Sequence, residues 1–343
     1  MYLAWLTINR SCNFRCSWCY GQNTQFKNDL SMPLALAKDI IDLLAELGVR
    51  QINISGGEPT YHQDLFSIIE YIAQKNIKTG LVTNGYRLYD KDFIKEINRS
   101  ALSRISFSLK GCNKEQYIQT TGIDVYDHIV KAIHNLNNLP SIQSSFQITL
   151  TKDNIEYLDD YIALSTIGGK RPISLMPCTT IFDENNQADS QYMIDFKYLV
   201  NILVSKFNSI CDAVDKNILI LHSIPECLWP KKFLTFLKSN NMLAPGCAIY
   251  SRITLYWDTD GSIFLCNRLN NFPVGKYNKD FKTKKEFEKF WFSKKLKTTC
   301  RKLCAYPVKQ CTTCDDFKTC VGGCPVNWFA LDPATIIKKE EIL

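Results

Sequence analysis

The chain has 343 residues, 45% of them hydrophobic, with 41 Lys and Arg against 34 Asp and Glu and a net charge of +7. That length suits one large α/β domain with an extension, or two domains, and so mild a positive charge speaks against a nucleic-acid partner. No apolar run approaches the roughly 20 residues that span a bilayer, and residues 1–14 lack the pattern of a signal peptide, so no membrane partner is expected. The expected location is cytoplasmic, where 15 Cys point to metal or catalysis rather than disulfides.

The first half alternates strand and helix patterns. "YLAWLTIN" (2–9) reads as a strand. "SMPLALAKDIIDLLAELG" (31–48) reads as a helix capped by Ser31, with Pro33 in its first turn and Gly48 at its end. "RQINIS" (50–55) is a strand running into "GGEP", followed by a helix near 63–75 and a strand, "IKTGLVTNG" (77–85). A helix near 91–99, a strand at 102–111, helical stretches over 114–138 and a strand at 144–151 come next. A helix at 154–166 and a strand at 172–177 complete six βα repeats. The alternation predicts a parallel sheet with helices outside, curled into a full or partial barrel by right-handed crossovers. Loops after the strands then share one face, where sites collect. The pattern breaks after about 210, and residues 245–325 are loop-rich and Cys-dense, with short strands at 252–258 and 262–267 around Gly261, which suggests bound metal as the source of their stability.

Cys12, Cys16 and Cys19 follow the first strand in the spacing C-x3-C-x2-C. A zinc site would call for a nearby His or fourth Cys, and the sequence places none close by. Three thiols on an iron–sulfur cube leave one iron open for a non-protein ligand. The loop, with Tyr20 behind it, resembles that of the radical S-adenosylmethionine (radical SAM) superfamily. The resemblance extends to Gly56-Gly57-Glu58-Pro59 after the second strand and to Thr83-Asn84-Gly85 after the third. It also takes in Ser106 and Ser108 on the fourth strand and Asn154 after the fifth. It implies that Cys12, Cys16 and Cys19 hold a [4Fe–4S] cluster whose open iron binds SAM. It further implies that Gly56, Gly57, Glu58, Pro59, Thr83, Asn84, Ser106, Ser108 and Asn154 form the SAM pocket. Reductive cleavage of SAM then yields methionine and a 5′-deoxyadenosyl radical that takes a hydrogen from substrate. Two departures stand out: "SLKG" at 108–111 replaces the family's frequent "SLDG", and "YIQTTG" at 117–122 lacks an Arg often found there.

The later cysteines resemble the SPASM extension of this superfamily. Cys247 is followed by Gly261 and Cys266, and later by Cys311-x2-Cys314-x5-Cys320-x3-Cys324. The resemblance implies one or two auxiliary [4Fe–4S] clusters, the first on Cys247, Cys266 and Cys324 and the second on Cys311, Cys314 and Cys320. A seventh family Cys is missing after Cys324. The expectation is that Cys300 or Cys304 replaces it at the second cluster; Asp315, Asp316 or an open iron are alternatives, and Cys227 is the candidate extra ligand of the first. A zinc ribbon is the residue-level alternative.

The expected architecture is therefore an α/β partial (β/α)6 TIM-like barrel over 1–210, a linker over 211–244 and a SPASM domain over 245–343. The resemblance implies a peptide maturase that crosslinks or epimerises its substrate, with an electron donor such as flavodoxin or ferredoxin. Alternatives are oxidation of Cys or Ser as in sulfatase maturation, dehydrogenation of a sugar or alcohol, and a non-catalytic electron carrier. Cys178, just after the sixth strand, is a candidate hydrogen donor to a substrate radical. No additional domain is expected before the first strand, so the Lys-rich stretch 276–302 is a candidate surface for an acidic leader peptide. Cys112 and Cys211 read as structural, and His62, His128, His134 and His222 show no ligand-like spacing.

Overall fold

The computed structural model describes residues 2–21, 30–244 and 246–337. Its frame is a run of six parallel strands: β1 (Leu3–Asn9), β2 (Gln51–Gly56), β3 (Lys78–Thr83), β4 (Arg104–Leu109), β5 (Gln143–Leu150) and β6 (Ile173–Pro177), paired in chain order. The crossovers are helical: α1 (Leu34–Glu46), α2 (Leu65–Gln74), α3 (Lys91–Arg99), α4 (Lys114–Thr121), α5 (Tyr126–Asn135) and α6 (Leu158–Thr166). The expected α/β partial barrel with a loop-rich, Cys-rich C-terminal region is what the structure has.

Each strand has two unlike faces, because successive side chains of a strand point to opposite sides. Ala4, Leu6 and Ile8, Ile52 and Ile54, Ile105 and Phe107, and Phe146, Ile148 and Leu150 are buried in the core. The helices cover that face: Ile40, Ile41 and Leu44 of α1 and Ile68, Ile69 and Ile72 of α2 are fully buried, spaced as one helix face requires. The alternate residues on the other face are polar or small: Asn53, Ser55, Ser106, Ser108, Ser145, Gln147, Thr149 and Ser174 line a cavity.

Two local expectations are corrected. Ser31 does not cap α1; Pro33 is the cap residue, and Ser31 instead bridges to Asn9. As expected, 114–138 is helical in more than one stretch: Gly122 ends α4 in the left-handed region at φ +83°, where glycine avoids the Cβ clash, and α5 follows. Second, the alternation does not end near 210, and the short strands expected at 252–258 and 262–267 join the same sheet. Past the two-residue β7 (Ile181–Phe182) and β8 (Ala188–Asp189) and the long α7 (Phe196–Ala213), β9 (Ile218–Ile220) pairs parallel to β6. After α8 (Lys231–Ser239) and α9 (Ala248–Ser251), β10 (Thr254–Trp257) pairs parallel to β1 and extends into antiparallel β11 (Ser262–Phe264) and β12 (Gly275–Lys276). The second half of the chain thus adds strands to both edges of the first half's sheet. Both α10 (Lys284–Trp291) and α11 (Lys294–Leu303) follow. In α10, Phe287 and Trp291 are buried while the lysines face outward.

Candidate active site

The chain leaves β1 at Asn9 and enters the three-thiol loop, which is pinned by backbone hydrogen bonds. Arg15 N donates to Thr121 O (2.9 Å) and Ser17 N to Thr120 O (3.1 Å). These are carbonyls at the C-terminal end of α4 with no partner inside the helix. On the other side, Gly57 N donates to Asn9 O (2.9 Å) and Glu58 N to Ser11 O (2.7 Å). The approach is backbone to backbone, and a Cβ on Gly57 would collide with the carbonyl oxygens of Arg10 and Ser11. The glycine is required by the loop's own packing, whatever else binds there.

Glu58 and Pro59 do not line the cavity. The Glu58 carboxylate is turned into the protein, accepting from Thr60 Oγ1 (2.6 Å), Thr60 N (3.2 Å), Thr83 Oγ1 (2.6 Å) and Asn84 N (2.7 Å). Burial raises this carboxyl's pKa, and those four donors oppose the rise. Glu58 therefore rivets the Gly56–Pro59 turn to the Thr83–Gly85 turn. At Gly85, φ is +78° and a Cβ would strike the Phe107 ring. Asn84 then reaches the thiol loop, its Nδ2 donating to Asn13 Oδ1 (2.8 Å) and lying 3.9 Å from Cys12 Sγ.

Cys12, Cys16, Cys19, Gly56, Gly57, Thr83, Asn84, Ser106, Ser108 and Cys178 share one cavity of about 1570 Å³ with Cys247, Cys266 and Cys324. Asn154 lies outside it, beside a smaller cavity of about 240 Å³ with Ser17 and Trp18. There its amide ties Thr151 N (2.8 Å) to Thr149 O (2.8 Å). Burial pushes the Cys12 thiol up to about 11 and Cys16 to about 12, and the neighbouring thiols of the loop raise both further. A cation opposes this. Lys110, the residue that departs from the family pattern, donates from Nζ to Ser108 Oγ (2.7 Å), lies over the Trp18 ring at 4.5 Å, and pulls both thiols down.

The loop is also bound to the later part of the chain. Arg10 makes a two-pronged ion pair with the fully buried Asp258 at the end of β10, and Asn270 Nδ2 donates to Tyr20 O (3.2 Å). Arg268 stands between the regions, a cation that feels Cys324, Cys266, Cys178 and Tyr20. Cys178 caps the cavity after β6; burial pushes its thiol up to about 11. The sequence reading missed Lys110 as a site residue, and Arg10, Asp258 and Arg268 altogether. Apart from Ser106 and Ser108 it also missed the inner-face polar residues, although their every-second-residue spacing was a readable signal.

The remaining thiols fall into two neighbourhoods. Cys304 ends α11 and meets Cys247 at the head of α9; the hydrogen bond from Cys304 holds Cys247 down to about 7. Cys227 follows Glu226, whose N–H donates to Cys320 Sγ (3.2 Å). Burial pushes Cys227 up to about 11, with Cys320, Cys311 and Cys314 adding to the rise.

These residues fit iron–sulfur clusters and SAM on two counts. The donors are thiols grouped around open space, and Asn13 Nδ2 is buried in the loop without a hydrogen-bond partner, a donor that cluster sulfur would satisfy. Among the described residues no three His, Cys, Asp or Glu side chains converge on a single-ion site, and a cluster spreads its thiolates around a polynuclear core.

Comparison with known proteins agrees. Residues 6–164 match the model of the radical SAM superfamily. A probable GTP 3′,8-cyclase of Pyrococcus abyssi is 25% identical over 60% of this chain and 65% of its own. The mycofactocin maturase MftC of Mycolicibacterium smegmatis is 28% identical over 48% of this chain and 41% of its own. The chain thus spans less than two thirds of these relatives. The crystal structure of Streptococcus suis SuiB bound to its precursor peptide SuiA shares the fold over 96% of this chain and 73% of that one, with a TM-score of 0.66 and 17% identity. Residues 6–164, with the three-thiol loop at their head, are thus similar to the radical SAM superfamily.

Proposed function

We propose that the protein is a radical SAM peptide maturase. The observation that carries this reading is the cavity. At about 1570 Å³ it exceeds the roughly 300–1,000 Å³ typical of small-molecule sites. It runs from the three-thiol loop past Cys178 to Cys247, Cys266 and Cys324, so a chain-like substrate has room beside a cofactor. SuiB, which has this fold, was captured with a precursor peptide, and MftC is itself named a maturase.

When bound on Cys12, Cys16 and Cys19, a [4Fe–4S] cluster with SAM supplies a 5′-deoxyadenosyl radical on one-electron reduction, the electron coming from a flavodoxin- or ferredoxin-like donor. The chain's own residues position it. Gly56, Gly57, Thr83, Asn84, Ser106 and Ser108 offer backbone and side-chain polar groups on one wall. Lys110 supplies, beside Ser108, a positive charge for the carboxylate of SAM where the family's usual Arg is absent; Glu58 keeps the two glycine turns in register. The Cys178 thiol, held protonated by burial, is able to return a hydrogen to a substrate radical, as epimerisation requires. Auxiliary [4Fe–4S] clusters on the later thiols would accept the electrons that a crosslink releases. The division at 210 and 245 and the use of exposed lysines between 276 and 302 for an acidic leader belong to the same proposal.

The test is anaerobic turnover of the full chain with a candidate precursor peptide in deuterated water, read by mass spectrometry. A gain of one deuterium without other change marks epimerisation, and loss of two hydrogens marks a crosslink. Peptides that return unmodified while GTP or another small molecule is consumed would overturn the reading.

A further inference from the structure

We propose that eight thiols form two complete four-Cys cluster sites: Cys247, Cys266, Cys304 and Cys324 in one, and Cys227, Cys311, Cys314 and Cys320 in the other. Cys227 thereby fills the fourth position of the second set. The assignment rests on the iron–sulfur reading above and assigns its ligands.

Segment 223–227 is built against the Cys320–Cys324 turn. Cys324 N donates to Ser223 O (3.1 Å) and Glu226 N to Cys320 Sγ (3.2 Å). A Cβ on Gly323 would press on Ser223 O and Pro225, so the two backbones meet without side chains between them. Cys227 follows in the same short turn, Glu226–Leu228, and its thiol interacts electrostatically with Cys311, Cys314 and Cys320. Cys311 in turn interacts with Cys314 and Cys320. The N–H to sulfur bond at Cys320 is of the kind that orients and tunes a metal-bound thiolate.

The other set is linked as closely. Cys304 hydrogen-bonds Cys247 and interacts with Cys324; Cys324 interacts with Cys266 and Cys247. Cys304 reaches this set because α11 ends there, its N–H closing on Cys300 O (3.0 Å). Each set therefore draws three thiols from the family spacing and one from a segment that chain order alone does not place. With four thiolates apiece, both clusters are closed to substrate, which leaves the Cys12–Cys19 loop as the open site.

The test is anaerobic reconstitution of the full chain in a C12A/C16A/C19A background, with iron and sulfide counts and EPR after reduction. Two clusters give about eight irons per chain. Adding C227A is expected to lower the count to about four, or to about seven with the EPR signal of a three-iron cluster. C314A should do the same, and C227A/C314A should lose only that one cluster. C227A/C247A should lose both, because the sites are independent. C304A should pair with C247A in the same non-additive way, and C211A, outside both sets, should keep the background count. The assignment is overturned if C227A leaves iron and EPR unchanged, or if the loss from C304A is non-additive with C314A rather than with C247A. If the background binds no iron at all, the auxiliary-cluster reading itself fails, and the inference with it.

Discussion

The Cys12–Cys19 loop is pinned by backbone hydrogen bonds from Arg15, Ser17, Gly57 and Glu58 to or from neighbouring elements. The thiols between Cys311 and Cys324 sit instead on single turns, Lys309–Thr313 and Phe317–Cys320, between loops. The first loop is held by the sheet, and its thiols are free to serve chemistry. The second region buries Phe317, Val321 and Val326 but is made of short turns, and such segments gain much of their order from bound metal. The contrast predicts that removing metal from the first would cost activity, and from the second would cost structure.

The strongest challenge to that contrast is iron removal. Structural metal sites contribute on the order of 10 kcal/mol to folding in small domains. Chelation should strip hydrogen-exchange protection from amides over 309–330 while β3, β4 and β5 keep theirs. Uniform loss, or none, would erase the distinction.

A smaller effect is expected where the regions are joined. Asp258→Ala leaves Arg10 buried without its carboxylate, a change that costs about 3–5 kcal/mol. Denaturant unfolding should show it, and loss of SAM cleavage should accompany it because Arg10 adjoins the thiol loop. A variant of wild-type stability would mean the two regions are not coupled through this pair.

Smaller again is Lys110→Met. Losing one charge-assisted hydrogen bond, worth about 1.5 kcal/mol, should weaken SAM binding about tenfold, measured by calorimetry on the reconstituted protein. Lys110→Arg should recover most of it, and unchanged affinity would remove Lys110 from the pocket.

The narrowest prediction concerns Cys178. Its thiol, pushed up to about 11, stays protonated through neutral pH. Hydrogen return should be constant from pH 6 to 9 and decline as pH approaches that value, where the S–H is lost. Cys178→Ala should abolish epimerised product while SAM cleavage continues; undiminished product would assign the donor elsewhere.

The six βα units were legible because strand and helix periodicities alternate cleanly from Leu3 to Pro177. The sheet's growth was not. Strand β9 has three residues, too few for a periodicity, and β10 finds β1 across the register Leu3↔Thr254, which no local pattern encodes. The same distance hid the thiol grouping: spacing relates Cys311, Cys314 and Cys320 to one another, but Glu226 and Cys320 meet 94 residues apart. The motif Gly56–Pro59 was readable as a site element. That Glu58 faces Thr83 and Asn84 instead of the cavity depended on how two turns pack. Lys110 looked like a departure from pattern, and only its contacts with Ser108 and Trp18 give it a role.

The most direct test of the central claim is the yield of 5′-deoxyadenosine when the reconstituted, reduced protein is given SAM. Wild type should form it, and C12A/C16A/C19A should form none while retaining the iron of the later thiols. Equal yield from both proteins would contradict the account.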